Sequence, residues 1–158
     1  MSRLLAFFSR PYFLGLAFIL LIGLPFIIVA DSTGVAGEKT AIQGTSGVDV
    51  FVSGAEATRF LPGPGDNYLI GGPGDNTYFI DAADSQNTIS DVQGSNVIEF
   101  GAGIGFSDIA SGLKRSGDDL TLEVGSSDQT ITVKYFFSLA NTISELRFQD
   151  SQPLASSN

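Results

Sequence analysis

The sequence predicts an all-β protein: a short parallel β-roll, or β-helix, capped by antiparallel strands and preceded by one transmembrane α-helix. Three observations predict it. An uncharged, mostly apolar run stretches from Tyr12 to Ala30; a glycine-rich pattern repeats every nine residues from Gly44; and apolar residues alternate with polar ones in the stretches after Asp119.

The apolar run comes first. Its 19 residues, at about 1.5 Å each in a helix, match the ~30 Å hydrocarbon layer of a bilayer. Arg3 and Arg10 precede it and Asp31 follows, a bias that places the N-terminus in the cytoplasm and the rest outside. Residues 1–30 therefore read as a cytoplasmic tip and a single-pass anchor in the cytoplasmic membrane, running from Tyr12. Within it Gly15, Ala17 and Gly23 allow close approach of other membrane helices, and Pro25 kinks the helix near its end. A cleaved leader is the rival reading, but Ile28-Val29-Ala30 matches an A-x-A cleavage site poorly. Residues 31–43, small and polar, read as a linker.

From Gly44 the chain divides into nines: GTSGVDVFV (44–52), SGAEATRFL (53–61), PGPGDNYLI (62–70) and GGPGDNTYF (71–79). Phe51, Phe60, Leu69 and Tyr78 take the eighth place of each. Glycines permit tight loops, and each apolar place centres a strand too short to bury itself alone. Two units complete one coil, so residues 18 apart stack: Phe51 on Leu69 in one sheet, Phe60 on Tyr78 in the other. Ile89 and Ile98 continue the apolar places 20 residues beyond Leu69 and Tyr78, which extends the roll over residues 44–100.

The units resemble the repeats-in-toxin (RTX) haemolysin-type pattern G-G-x-G-x-D-x-U-x. The resemblance implies that the sixth-place residue of each unit holds calcium between turns, within a shell of 6 to 8 oxygens. Carried over, those places are Asp49, Thr58, Asn67 and Asn76, followed by Asn87 and Asn96. Only Asp49 is a carboxylate, so calcium binding is expected to be weak or lost at most turns, with Asp49 and Asn67 as the best candidate metal pair. Side-chain amides offer an alternative: Asn67 over Asn87 and Asn76 over Asn96 would form a ladder that satisfies loop polar groups without metal.

Residues 101–150 read as a C-terminal β cap. Leu120, Leu122 and Val124, then Ile131, Val133 and Tyr135, alternate as half-buried strands do, with turns at Gly117-Asp118 and at residues 125–128. The landmarks F-G-x-G-I (from Phe100), D-I, R-x-G-D-D-L, I-T-V-x-x-F-F and I-x-x-L-x-F-x-D, in that order, resemble the domain that often follows haemolysin-type repeats. Tyr135, Phe136 and Phe137 are consecutive, so at least one ring faces away from the core and is a docking candidate. Residues 151–158 read as a disordered tail.

Composition narrows function. Without cysteine or histidine there is no thiolate site, imidazole base or zinc triad of the usual kind. Past Ala30 the chain keeps all 17 acidic residues and six of the eight basic ones, a surface that repels nucleic acid. Asp118-Asp119 before a strand is turn chemistry and not a general acid. The expectation is a non-catalytic, single-span protein that exposes an RTX-like roll outside the cytoplasmic membrane. It would serve as a structural or docking accessory subunit of a membrane complex, photosynthetic or respiratory, with other membrane-protein subunits as partners. The alternative is a calcium-responsive secreted or surface protein of adhesin type. No cofactor is required by the sequence, Ca2+ being the one the resemblance admits.

Overall fold

The structure is a computed structural model that describes residues 26–29, 39–125, 127–138 and 141–149. Short strands follow one another at nearly constant spacing: β1 (Phe26–Val29), β2 (Thr40–Gln43), β3 (Asp49–Val52), β4 (Thr58–Leu61), β5 (Asn67–Ile70), β6 (Thr77–Ile80), β7 (Gln86–Ser90) and β8 (Asn96–Phe100). A one-turn helix α1 (Phe106–Ala110) leads into β9 (Leu113–Ser116), β10 (Asp119–Glu123), β11 (Thr130–Val133) and β12 (Ile143–Phe148).

Odd and even strands of the repeats separate into two sheets. One has the order β1-β3-β5-β7-β11-β10-β9, the other β12-β8-β6-β4-β2. Within the coils every pairing is parallel, and the register follows the repeat: Phe51 lies beside Leu69, Leu69 beside Ile89, Phe60 beside Tyr78, and Tyr78 beside Ile98. These six side chains are fully buried between the sheets. Phe60 stacks on Tyr78 at 4.8 Å and meets Phe51 edge-on at 6.1 Å across the core. Removing each such side chain from water stabilises the fold by about 1.5–3 kcal/mol, which is how four-residue strands persist.

Glycine is required where loops of successive coils touch. A Cβ on Gly65, whose φ is +109°, would lie 2.2 Å from the carbonyl oxygen of Gly47 in the loop one coil earlier. The loop at 62–66 thus stacks on the loop at 44–48 only because position 65 has no side chain.

Three differences from the sequence expectation have physical causes. First, Phe26–Val29 is not the end of a helix: it is β1, parallel to β3 with Ile28 beside Phe51. The run changes at Pro25 from Leu, Gly and Ala to Phe-Ile-Ile-Val, and β-branched residues after a proline favour a strand. Residues 1–25, and with them Tyr12, Gly15, Ala17, Gly23 and Pro25, lie outside the described residues. No helix among the described residues is long and apolar enough to cross a membrane. Second, the expected linker 31–43 contains β2, which pairs with β4 in the 18-residue register. Ile42 stands nine residues before Phe51 and is 6% exposed, so the repeat begins one unit earlier than the glycines suggest. Third, residues 101–150 do not form a separate antiparallel cap. The hairpins β9-β10 and β10-β11 are antiparallel, but β11 runs parallel to β7 and β12 parallel to β8, so this segment continues both sheets.

Candidate functional site

The sixth-place residues line two buried columns near the starts of the strands, Asp49, Asn67 and Asn87 in one sheet and Thr58, Asn76 and Asn96 in the other. Asp49, Thr58, Asn67, Asn76, Asn87 and Asn96 are all buried. The amides of neighbouring coils come into register, Asn67 beside Asn87, yet they do not bond to one another in a direct ladder. Each contact is relayed through backbone. The N–H of Asp49 donates to Oδ1 of Asn67 at 3.0 Å, that of Thr58 to Oδ1 of Asn76 at 3.0 Å, and that of Asn76 to Oδ1 of Asn96 at 2.7 Å. The amide nitrogens then turn into their own loops. Nδ2 of Asn67 donates to the carbonyls of Gly63 and Gly65 at 3.1 and 3.0 Å, and Nδ2 of Asn76 to Gly72 at 3.2 Å. Asn96 does the same with Gln93 and adds the Thr142 hydroxyl.

This geometry tests the metal expectation. A hard cation needs an open cage of oxygens. Here amide hydrogens lie between the loop carbonyls of Gly63 and Gly65. The Asp49 carboxylate already accepts from the backbone N–H of Thr45 at 2.7 Å and from its hydroxyl. The pair Asp49 and Asn67 therefore does not fit calcium as arranged. Among the described residues no group of three or more carboxylates, histidines or cysteines is placed to hold a metal.

Asn87 departs from its column. Neither atom of its buried amide has a hydrogen-bond partner among the described residues. The loop before it, residues 81–85, has no glycine and closes on itself, the N–H of Asp81 donating to Oδ2 of Asp84 and the N–H of Asp84 to the Asp81 carbonyl. Its carbonyls are not folded under the amide as those of the glycine loops are. Burial, opposed by the hydrogen bond from Asp81 and reinforced by the Asp81 carboxylate, pushes the Asp84 carboxyl up to about 6.

Two polar centres were not anticipated. Asp91 is 5% exposed and gathers the Tyr78 hydroxyl at 2.6 Å and Nδ2 of Asn76 at 3.0 Å on one oxygen, and the Gln93 N–H on the other. Burial, and then the neighbouring Asp91, raise the Tyr78 hydroxyl far above its ordinary range. A tyrosine at an eighth place of the repeat, with an acid on the following coil, is the signal that could have found the pair. On the outer face of the even-stranded sheet, Arg59 clamps Glu99 through two bonds of 2.9 and 3.1 Å and lies over the Phe79 ring. The Arg59 hydrogen bonds hold Glu99 below the usual carboxylate range, with Gln149 and Arg147 adding to the effect.

The aromatic turn follows β11. Tyr135, at φ +61°, and Phe137 are 47% and 41% exposed, whereas Phe136 packs against the core. Asp119 fixes the turn by accepting from the Lys134 ammonium and the Tyr135 N–H, and the Asp118 carbonyl accepts from the Phe137 N–H. Asp118 and Asp119 are thus turn-forming groups. Arg115 lies over the Phe137 ring at 4.5 Å. No protein-family model matches the chain, and no curated protein matches it.

Proposed function

We propose that the chain is a non-catalytic, membrane-tethered docking module: an RTX-like β-roll held outside the cytoplasmic membrane as an accessory subunit of a membrane complex. The observation that carries this reading is β1. Phe26–Val29 pairs with β3 over four consecutive positions, so the end of the apolar run belongs to the folded roll. Cleavage after Ala30 would strip an edge strand from the larger sheet, which favours retention of the segment before it.

That strand also sets the anchor. The apolar run left before it, Tyr12 to Pro25, has 14 residues and reaches about 21 Å as a helix, short of the ~30 Å hydrocarbon layer. A span of this length draws its flanks inward, with Arg10 snorkelling to one interface and the first coil of the roll held against the other. A hydrogen-bonded asparagine column that needs no metal suits a rigid spacer whose folding is indifferent to calcium. Purification from membranes in mild detergent, followed by intact-mass measurement, tests the reading. Full-length mass with a stoichiometric companion protein supports it. A chain beginning near Asp31 and free of partners overturns it in favour of the secreted, calcium-responsive alternative.

A further inference from the structure

The outer face of the seven-stranded sheet changes character from one edge to the other. On β3 and β5 the outward residues are Val50, Val52, Tyr68 and Ile70, and Tyr68 and Ile70 are 51% and 41% exposed. Val50 lies in register with Tyr68, and Val52 with Ile70. Ile27 and Val29 occupy the positions beside Val50 and Val52 on β1. Farther along, the same rows continue as Thr88 and Ser90 on β7, then Thr132 and Thr121. Aliphatic and aromatic side chains are thus confined to the edge where the apolar N-terminal segment joins the sheet. Val48, also exposed, sits just before β3, at the strand end where Phe26 pairs with Asp49.

We propose that this face, centred on Val50, Val52, Tyr68 and Ile70, lies against the lipid surface beside the point where the N-terminal segment enters the bilayer. The inference rests on the tether described above and adds the orientation of the roll. Three observations carry it. No linker separates the apolar run from β1, and a single residue spans at most about 3.6 Å, so an embedded segment brings β1 to within a few ångströms of the interface. The chain carries a net charge of −9, so a face turned toward headgroups has to keep its carboxylates at the margin: Val50, Val52, Tyr68 and Ile70 are uncharged, Asp66 stands just before β5, and the ion pairs Lys134–Asp119 and Lys114–Glu123 lie toward the β9 edge. The other outer face, by contrast, displays Arg59, Glu99, Glu145 and Arg147. Tyrosine with an apolar body and a polar tip suits the interfacial layer. Four side chains would bind a bilayer weakly on their own. The tether makes the encounter intramolecular, which is what turns a small patch into a stable contact.

The chain contains no tryptophan, so single reporters can be placed without background. Full-length Tyr68→Trp and Ile70→Trp are reconstituted in phosphatidylcholine vesicles carrying bromine on the acyl chains, beside Leu113→Trp at the opposite edge of the same sheet. All three positions are exposed, so the fold tolerates the change. The expected result is emission quenched by roughly half at 68 and 70 and unaffected at 113, because an interfacial apolar face sits about 5–10 Å into the headgroup boundary. If the protein stays with the vesicles but the reporters at 68 and 70 behave like that at 113, the orientation is wrong and the tether stands. A blue-shifted but unquenched emission at 68 and 70 means that protein, a second copy or another subunit, covers the face, and also overturns the proposal. If the protein does not remain with the vesicles, the tether itself fails and takes the orientation with it.

Discussion

The backbone N–H of Asp49 donates to the side-chain oxygen of Asn67, 18 residues later and one coil on, at 3.0 Å. The same relation joins Thr58 to Asn76 and Asn76 to Asn96. An asparagine serves here where a carboxylate cannot, because its oxygen accepts from the coil before while its nitrogen donates to the loop of its own coil. The column of the larger sheet, Asp49 and Asn67, is satisfied as far as Asn87, where the glycine loop gives out.

Replacing Asn76 with alanine leaves the buried Thr58 N–H without its acceptor and removes one of the three described donors to Asp91, a loss of about 2–4 kcal/mol. Asn76→Asp does more harm at neutral pH, since it sets a second carboxylate about where Nδ2 now lies, 3.0 Å from the Asp91 oxygen. Thermal melts followed by circular dichroism at neutral pH should rank wild type above Asn76→Ala and Asn76→Ala above Asn76→Asp, with the aspartate variant recovering in acid. A chelator leaves the wild-type melt unchanged; a melt that collapses on chelation would sink the metal-free column.

Gly65→Ala tests loop stacking. The new Cβ would lie 2.2 Å from the Gly47 carbonyl at a φ of +109°, so the cost is on the order of 3 kcal/mol or more. Gly117→Ala shares the positive φ, at +62°, but its Cβ meets nothing within 4 Å, so it costs only about 1 kcal/mol. Equal denaturant midpoints for the two variants would show that the close approach of loops contributes nothing.

Much of this fold was legible because its two periodicities are strict. The eighth-place residues Phe51, Phe60, Leu69 and Tyr78 name the core, and the 18-residue coil names the sheet partners. What escaped was sequence in which one signal hides another. Phe-Ile-Ile-Val at 26–29 reads as membrane helix because it continues an apolar run, although its β-branched residues after Pro25 favour a strand. Ile42 keeps the period without the glycines that made the period visible. That the amides bond to backbone and loop carbonyls and not to one another has a geometric reason: the Asn67 amide nitrogen has two loop carbonyls within 3.1 Å and so turns away from the next coil. Asp91 and Glu99 were invisible because their partners, Tyr78 and Arg59, are 13 and 40 residues distant.

Asp84 makes stability depend on pH. Its carboxyl is pushed up to about 6, chiefly by burial, from an ordinary value near 4 in the unfolded chain. Between about pH 4 and 6 the native state holds a proton that the unfolded state has released, so this group's contribution falls as pH rises and is fully lost above 6. Asp84→Asn keeps an oxygen for the Asp81 N–H and carries no charge. Its melting temperature should match wild type near pH 4 and exceed it increasingly up to pH 7. A constant difference across that range would mean that Asp84 ionises without penalty.

Cutting the chain after Ala30 asks whether the end of the apolar run is structural. The truncated chain loses β1 and its in-register pairing with β3, so β3 becomes the sheet edge. Its unpaired N–H and C=O groups are then a template for another chain, and Val50 and Val52 border that open edge. Size-exclusion chromatography with light scattering should find the truncated protein self-associating, and its melt should begin below that of the full-length chain in detergent. The comparison separates two roles for Phe26–Val29. If the four residues served only to export the protein, removing them would leave a monomer of unchanged melting temperature, and β3 would be a natural edge that tolerates exposure. If they are part of the roll, cleavage costs both stability and solubility, which favours retention of the N-terminal segment.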